Sequence, residues 1–277
     1  MSHPKTFLIT GVSSGFGRAL ADQALADGHQ VIGTVRQAEA ARAFEAHASR
    51  RAHAYQLDLM DSQAIADIVA CMSQECGPID VLVNNAGYGH EGILEESSTE
   101  AMRQQFEVNV FGAVEMIQAI LPMFRERRRG HIINITSMGG LITMPGIAYY
   151  CGSKFALEGI SDTLSKELAP FNIHVTAVAP GSFRTDWAGR SMQRSPRSIG
   201  DYDALFDPVR KARRDNSGHQ LGDPAKAARA MLDLIDCDAP PAHLLLGSDA
   251  LQLVRDRLTE MAHEIDAWES ITVSTDG

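Results

Sequence analysis

Tyr150 and Lys154 stand four residues apart in a helical pattern that runs on to Leu168, and they are the first candidates for chemistry. Side chains at that spacing share one face of a helix, one turn apart. An ammonium beside a phenol favours the phenolate and lowers a pKa that is ordinarily about 10, which makes proton exchange near neutral pH feasible. The pair predicts an acid/base tyrosine, and an exposed helical pair without chemistry is the alternative.

Two nearby residues bear on this choice. Tyr149 is a rival for the tyrosine role, but Ser153 stands four residues after it and supplies no positive charge. Ser137 follows an apolar run that ends at Ile135, and its hydroxyl there can donate to a substrate oxygen as charge develops. Without a tyrosine within reach, Ser137 would be a turn residue only.

A glycine-rich turn follows the first apolar run of the chain, with the sequence Thr10-Gly11-Val12-Ser13-Ser14-Gly15-Phe16-Gly17. Glycines let the backbone turn tightly and approach a pyrophosphate, and the helix that follows offers unpaired N–H groups and a positive dipole end. Taken alone, the turn is equally consistent with a tight connection between a strand and a helix.

Short β-type runs alternate along the chain with longer helical patterns, which predicts βαβ units and a parallel sheet. The runs are Thr6 to Ile9, Gln30 to Val35, Ala52 to Leu57, Ile79 to Asn84, His131 to Ile135, His174 to Ala179 and His243 to Leu246. With 277 residues, 44% of them hydrophobic, the chain can bury a large core as a single α/β domain over residues 1–277.

Candidate ligand-binding residues follow the C-terminal ends of these runs, the edge at which ligands bind in open α/β sheets. They are Gly11, Arg36, Asp58, Asn85, Ser137 and Gly181. Asp58 either accepts a hydrogen bond from an adenine amino group or caps the helix that includes residues 64–69. Residues 84–87 can likewise be a turn only, since Asn and Gly are ordinary turn formers.

In order and spacing over roughly residues 5–250, these motifs resemble the short-chain dehydrogenase/reductase family. The resemblance rests on the glycine-rich turn, residues 84–87, Asn109, Ser137, Tyr150 with Lys154, and the dipeptide Pro180-Gly181. It implies a doubly wound Rossmann-type sheet of seven strands flanked by helices. It also implies that Tyr150 is the acid/base, that Lys154 holds the nicotinamide ribose and tunes Tyr150, that Ser137 orients the substrate carbonyl, and that Asn109 supports a proton relay through its backbone bend.

The same resemblance implies an oxidoreductase that interconverts a carbonyl and an alcohol with a nicotinamide cofactor. The implied cofactor-binding residues are Gly11, Ser13, Ser14, Gly15, Phe16, Gly17, Arg36, Asp58, Leu59, Asn85, Ala86, Gly87, Tyr150, Lys154, Pro180, Gly181 and Thr185. NADP(H) is preferred over NAD(H) because Val35 stands where NAD-preferring relatives carry an acidic residue, and Arg36 can offer donors to a 2′-phosphate. Ser14 stands where many NADP-dependent relatives carry a second basic residue.

Two segments depart from the alternation of strands and helices. Residues 187–222 are too long for a plain connector, and we interpret them as a substrate lid, with a disordered insertion as the alternative. The extension over residues 248–277 replaces the last-strand motif that builds the usual tetramer, and it resembles the hydroxysteroid and retinol dehydrogenase branch. A homodimer through residues 99–127 and 150–168 is the predicted assembly.

Within the extension, Leu251, Val254, Leu258, Met261, Ile265 and Trp268 form an apolar helical stripe, which we expect to pack on its own domain. Candidate residues lining the substrate pocket are Met138, Leu141, Ile142, Met144, Tyr149, Phe183, Trp187 and Met192. That mixture predicts a moderately apolar carbonyl substrate.

A formal net charge of −10 argues against a nucleic-acid or anionic-membrane surface. Four cysteines without zinc-ligand spacing suit a cytoplasmic protein without a metal site. We expect no secretory signal after Met1 and no apolar run of the about 20 residues needed to span a bilayer. The alternative function is a nucleotide-binding redox sensor or scaffold of the same fold. A sugar-nucleotide epimerase of the extended relatives is a third possibility, but it would need more chain for a separate substrate domain.

Overall fold

The computed structural model describes residues 3–48 and 50–277, so the N-terminal expectation at Met1 lies outside the described residues. Its strands are β1 (Thr6–Thr10), β2 (Gln30–Val35), β3 (Ala52–Gln56), β4 (Val81–Asn84), β5 (Gly89–Glu91), β6 (Gly130–Ile135), β7 (Ile173–Pro180), β8 (Met192–Arg194) and β9 (His243–Leu246). Seven of them form one parallel sheet in the order β3-β2-β1-β4-β6-β7-β9, and β5 pairs with β8. The predicted seven-stranded Rossmann-type sheet is confirmed.

Helices connect the strands and cover both faces of the sheet. They are α1 (Gly15–Ala26), α2 (Ala38–Glu45), α3 (Ser62–Cys76), α4 (Thr99–Phe106), α5 (Gly112–Arg127), α6 (Ala148–Leu168), α7 (Asp203–Asp215), α8 (Pro224–Ile235), α9 (Ser248–Ala267) and α10 (Glu269–Val273). A π-helical turn over Glu107–Phe111 joins α4 to α5.

Successive residues of β1 show how the two cores are built. Phe7 and Ile9 pack into one apolar cluster with residues of α1 and α8, whereas Leu8 packs into a second cluster with residues of α3 and α5. All three side chains are fully buried. A strand buried on both faces is apolar without alternation, which explains why these runs are continuous in the sequence.

The order of the strands reverses at β1, which lies between β2 and β4. The connections that follow β1 and β4 therefore leave the sheet on opposite faces and open a crevice at its carboxyl edge. The glycine-rich turn follows β1 and Asn85 follows β4, so the fold places both at this crevice.

The expectation that the C-terminal apolar stripe packs on its own domain is wrong. Only the first turns of α9 contact the domain, through the buried residues Ala250 and Val254. The rest of the stripe is exposed: Leu251, Leu258, Met261, Ile265 and Trp268 have between 40% and 65% of their surface accessible. Helical periodicity identified the apolar face of α9, but it did not show whether anything packs against that face.

Residues 187–222 contain regular structure, with β8, α7 and short 3-10 turns. Glu91 of β5 anchors them to the domain, because this buried carboxylate pairs with Arg194, Arg210 and Arg213 at 3.2, 3.3 and 2.6 Å. Such a network ties the segment to the domain, and its interpretation as a lid stays a prediction.

One helical run, Thr99–Arg127, is long and apolar enough to cross a bilayer by length and composition alone, with a mean hydropathy of 1.2 in its best window. The expectation that no run approaches this size was therefore too strict. Core helices of water-soluble proteins pass the same test, so length and composition alone do not establish a span.

Candidate active site

A cavity of about 1000 Å³ follows the carboxyl edge of the sheet, from the residues after β2 to α6 and the segment 187–222. Of the predicted catalytic and cofactor-binding residues, all but two line this cavity. The lining ones are Gly11, Ser13, Ser14, Gly15, Phe16, Arg36, Asp58, Leu59, Asn85, Ala86, Gly87, Ser137, Tyr150, Lys154, Pro180, Gly181 and Thr185. Gly17 and Asn109 are not among the lining residues.

The glycine-rich turn depends on glycine at three positions for different reasons. Gly11 and Gly15 adopt φ angles of +74° and +60°, which side-chain-bearing residues rarely adopt. A Cβ at Gly17 would lie 2.4 Å from Asn85 Nδ2 and from the Gly11 carbonyl oxygen. Gly17 was predicted to bind the cofactor; here it lets α1 pack closely against the loop after β4.

The first turn of α1 offers backbone donors to the cavity. Ser14, at the N-cap, has an extended backbone and, among the described residues, makes no side-chain hydrogen bond to that turn. Helix N-termini without a side-chain cap bind anions through free N–H groups and the positive end of the helix dipole. The turn therefore fits a pyrophosphate.

Asn85 ties the loop after β4 to the glycine-rich turn. Its side-chain amide donates to the carbonyl oxygens of Thr10 and Gly11 at 2.8 and 3.1 Å, and the Thr10 hydroxyl accepts from the backbone N–H groups of Asn85 and Ala86. Asn85 is thus more than an ordinary turn residue, because it fixes the two sides of the crevice relative to each other.

Asp58 does not cap the helix after β3. Asp61 caps α3 instead, with its carboxylate accepting from the Ala64 N–H at 3.2 Å. The Asp58 carboxylate accepts from the Met60 N–H at 3.1 Å and lines the cavity. Its other acceptor positions are open to a ligand, which leaves the adenine contact as the remaining hypothesis.

Tyr150, Lys154 and Ser137 meet where α6 begins beside the end of β6. The Ser137 hydroxyl lies near enough to the Tyr150 hydroxyl to lower the pKa of the phenol. Lys154 Nζ donates to the Ile135 carbonyl oxygen at 2.8 Å and lies 5.8 Å from the centre of the Tyr150 ring. Tyr150 and Lys154 are both 6% exposed. A phenol, a hydroxyl and an amine thus share one wall of the cavity.

Burial works against ionisation of both groups in this pair. It raises the pKa of Tyr150 above the usual phenolic range, and the Ser137 hydrogen bond lowers it in part. Burial also lowers the pKa of Lys154 to about 8, opposed by the negative charge of Glu158. The expected net lowering of the Tyr150 pKa is therefore wrong in this structure, because spacing along a helix does not reveal desolvation.

Tyr149 has a structural position away from the cavity. Its hydroxyl donates to the Ser97 carbonyl oxygen at 2.9 Å, and its ring stacks on that of His90 with centroids 5.0 Å apart. It is not among the residues that line the cavity. The two neighbouring tyrosines consequently have separate environments, and Tyr150 alone of the two faces the site.

Asn109 lies in the π-helical turn, so the predicted backbone bend is present at this position. Its side chain holds two elements: the carbonyl oxygen accepts from the Tyr88 N–H at 3.2 Å, and the amide donates to the Tyr88 carbonyl and to the Ser153 hydroxyl. These bonds lock α6 and the loop after β4 together. A relay function for Asn109 stays a prediction.

The substrate side of the cavity is more polar than predicted. Met138, Met144, Phe183 and Trp187 line it as expected, whereas Leu141, Ile142, Tyr149 and Met192 do not. The sequence interpretation missed Gln104, Arg190, Ser191, Gln193, Arg213, Asn216 and Gln220. Most of these lie in the segment 187–222, where the spacing of Ala212, Arg213 and Asn216 at the C-terminal end of α7 was the available signal.

A dinucleotide fits the residues that line this cavity. The uncapped N-terminus of α1 suits a pyrophosphate, Asp58 has acceptor capacity for an adenine amino group, and Lys154 and Tyr150 line the same cavity. Among residues 3–48 and 50–277, no group of three or more His, Cys, Asp or Glu side chains is arranged to hold a metal ion.

Comparison with known proteins agrees with this geometry. The family model described as short chain dehydrogenase matches residues 5–195. Human retinol dehydrogenase 8 is 34% identical over 254 residues, covering 86% of this chain and 80% of that protein. A short-chain dehydrogenase structure from Streptomyces avermitilis is 40% identical, with a TM-score of 0.93 over all of both chains. A serine dehydrogenase complexed with NADP+ is 26% identical, with a TM-score of 0.76 over 87% of this chain and 94% of that one.

Proposed function

The chain belongs to the short-chain dehydrogenase/reductase family of NAD(P)-binding oxidoreductases, and from that premise we propose that it interconverts a carbonyl and an alcohol with Tyr150 as acid/base. The observation that carries the proposal is the contact of the Tyr150 hydroxyl with Ser137 on the wall that also holds Lys154. The substrate is a small molecule with a primary or secondary alcohol, or the corresponding aldehyde or ketone.

The nicotinamide, when bound, supplies or accepts the hydride. The protein positions the substrate carbon and moves one proton at its oxygen. In reduction, the Tyr150 hydroxyl protonates the developing alkoxide; in oxidation, its phenolate removes the alcohol proton. Ser137 donates to the same oxygen and orients it, while Lys154 binds the ribose and favours the phenolate through its charge.

NADP(H) is the proposed cofactor, with NAD(H) as the weaker alternative. The buried Val35 ends β2 where a carboxylate would repel a 2′-phosphate, and Arg36 lines the cavity immediately after it. Arg36 is exposed and can aim its guanidinium at a phosphate in a charge-assisted, two-pronged contact. The serine dehydrogenase complexed with NADP+ is a structural relative for which this form of the cofactor has been seen.

Residues 187–222 are the proposed substrate lid. They contribute Trp187, Arg190, Arg213 and other lining residues to the cavity and are anchored at their base by the buried carboxylate of Glu91. A lid in this place excludes water from the hydride-transfer site. Its mixed polar and apolar lining supports a moderately apolar substrate that also carries hydrogen-bonding groups.

The proposed assembly is a cytoplasmic homodimer through residues 99–127 and 150–168. Exposed apolar side chains on these helices support it, with Met102, Phe111 and Phe155 at 39%, 50% and 41% exposure. Contact between two copies would cover this surface and remove it from water. Binding of nucleic acid or of a membrane is not part of the proposed function, given the net charge of −10.

The direct test is oxidation of NADPH and of NADH with a panel of ketones, aldehydes and quinones. Turnover that is lost in Tyr150→Phe supports the proposal. Tight nucleotide binding without turnover across the panel, in either direction, would instead favour a redox sensor or scaffold that has kept the fold.

A further inference from the structure

Three consecutive residues at the end of β6 hold three residues of α6 that are spaced one turn apart. The Ile135 carbonyl oxygen accepts from Lys154, Thr136 is hydrogen bonded to Glu158, and Ser137 lies beside Tyr150. Ser137, Tyr150 and Lys154 already have roles in the proposed reaction, whereas Thr136 and Glu158 have none. Because the spacing 150, 154, 158 puts all three side chains on one helix face, Glu158 continues the line of the acid/base pair into the protein interior.

Resting on the proposed function, we propose that Glu158 is a positioning residue, whose buried negative charge keeps Lys154 protonated and holds it against the end of β6. Its action on Tyr150 passes through Lys154 and the electrostatic field, without contact with the substrate.

Glu158 is buried and makes polar contacts with residues at the ends of two strands of the sheet. The residue is 5% exposed. The Thr136 hydroxyl lies 2.5 Å from Oε1 and also bonds the Val178 carbonyl oxygen at 2.9 Å, and His243 Nδ1 lies 2.9 Å from Oε2. Both carboxylate oxygens of Glu158 therefore have a polar partner.

The groups that face Glu158 come from three sides. Lys154 lies one turn before it on α6, and Thr136 and Val178, at the ends of β6 and β7, carry no titratable side chain. His243 of β9 lies against the carboxylate and is 41% exposed at its side chain. Asp162, one turn later on α6, lies 3.6 Å from His243 Nε2 and is bonded to Lys166.

Lys154 needs this charge because burial opposes its ionisation. Burial lowers the pKa of Lys154 to about 8, and Glu158 raises it from what burial alone would give. Without Glu158, a larger fraction of Lys154 would be neutral near pH 8. A neutral amine neither binds a ribose through an ammonium nor favours the Tyr150 phenolate, so both functions assigned to Lys154 would weaken.

The sign of the expected pH effect follows from electrostatics. A nearby negative charge disfavours loss of a proton from the Tyr150 phenol and from the Lys154 ammonium alike. Lys154, with a pKa of about 8, loses its proton before Tyr150, whose pKa is raised, so loss of the ammonium is the titration on which Glu158 acts. Replacement of Glu158 by Gln should move the limb of the pH profile that reports loss of the Lys154 proton to lower pH, by roughly half to one unit.

The test measures kcat/KM against pH for alcohol oxidation by the wild type, Glu158→Gln, Glu158→Asp and the control Asp162→Asn. We expect the acid-ward shift only in Glu158→Gln, because Asp keeps the charge and Asp162 lies beyond His243. A profile for Glu158→Gln that superimposes on the wild type after scaling would show that Glu158 merely anchors α6, and would overturn the proposal.

A second readout needs no turnover and separates this proposal from the proposed function. The titration of Lys154, followed by NMR of carbon-13-labelled lysine and assigned with Lys154→Arg, should give a pKa near 8 in the wild type and a lower value in Glu158→Gln. Equal values would refute the role of Glu158 even in an active enzyme.

If Glu158→Gln does not fold, His243→Arg sets a fixed positive charge against the same carboxylate. This variant should shift the pH profile and the Lys154 pKa in the same direction as Glu158→Gln, and no shift there would also refute the proposal.

Discussion

The ring of Trp187 packs against the ring of Tyr150, with centroids 4.9 Å apart and planes inclined at 55°. Trp187 begins the segment proposed as a lid, and Tyr150 is the proposed acid/base. Gly89 makes this contact sterically possible, because a Cβ at that position would lie 2.9 Å from the indole. A movement of the lid must therefore change the surroundings of the Tyr150 ring.

This contact makes Trp187 a reporter of lid closure. The chain has two tryptophans, and the other, Trp268, is 65% exposed in the C-terminal extension. Saturating NADPH and substrate should change the fluorescence of the wild type and of Trp268→Phe, whereas Trp187→Phe should lose most of the change. The measurement is a fluorescence titration with each variant.

Limited proteolysis supplies the independent check on the lid. Cleavage within residues 187–222 should slow when ligands order the segment over the site. Equal cleavage with and without ligands, together with a ligand response that survives in Trp187→Phe, would contradict a closing lid.

Tyr150→Phe should abolish nearly all turnover with little change in nucleotide affinity, because the lost hydroxyl acts on the substrate oxygen. General acid catalysis is worth about 10²–10⁴-fold, so kcat should fall by that order. Tyr149→Phe is the matched control: its hydroxyl donates only to the Ser97 carbonyl oxygen, and turnover should persist. A Tyr150→Phe enzyme that kept more than half of the wild-type rate would rule out this acid.

Lys154→Ala should damage nucleotide binding and rate together, since the ammonium is proposed to hold the ribose and to favour the phenolate. Lys166→Ala serves as control, because Lys166 lies on the exposed side of α6 and pairs with Asp162, away from the cavity. Isothermal titration with NADPH and steady-state kinetics measure the two effects. Unaltered nucleotide affinity in Lys154→Ala would remove the ribose contact.

The sequence correctly predicted the features that backbone geometry and residue order determine. Its predictions failed for properties that depend on which other residues surround a side chain. Continuous apolar runs such as Phe7-Leu8-Ile9 predicted the buried strands, and polar residues at strand ends, such as Asn85, predicted the cavity edge. The packing of Leu258 and the pKa of Tyr150 depend on what surrounds each side chain. Periodicity shows which side chains share a helix face, but it does not show what surrounds them. The expected packing of the α9 stripe and the expected pKa of Tyr150 were therefore both wrong.

The contacts of Glu96 with the proposed lid should stabilise the protein less as the pH becomes acidic. Its carboxylate accepts from the N–H groups of Ser198 and Ile199 at 2.6 and 2.7 Å and pairs with Arg197 at 2.8 Å. These bonds lower its pKa from 4.5 to about 2. Because the folded pKa is depressed, the stabilisation is present above pH 4.5 and is lost as pH falls towards 2.

The corresponding measurement compares the melting temperatures of the wild type and Glu96→Gln across this pH range. The wild type should melt at a higher temperature near neutral pH, and the difference should shrink between about pH 4.5 and pH 2. Glu100→Gln, an exposed position on α4, controls for general effects of a lost carboxylate. A difference that stays constant down to pH 2 would show that the Glu96 charge does not stabilise the anchor.

The proposed preference for NADP(H) depends on Arg36, and comparing the affinities for NADPH and NADH tests it. Arg36 lines the cavity directly after the buried Val35, and its side chain is exposed and free to face a 2′-phosphate. A charge-assisted contact of this kind is worth about 1.5–3 kcal/mol, or roughly ten- to a hundredfold in affinity. Arg36→Ala should therefore weaken NADPH by that factor and NADH much less, because NADH has no 2′-phosphate. Arg42→Ala, an exposed arginine of α2 that pairs with Glu39, should change neither. Equal losses for the two nucleotides in Arg36→Ala, or a wild type with the higher kcat/KM for NADH, would overturn the assignment.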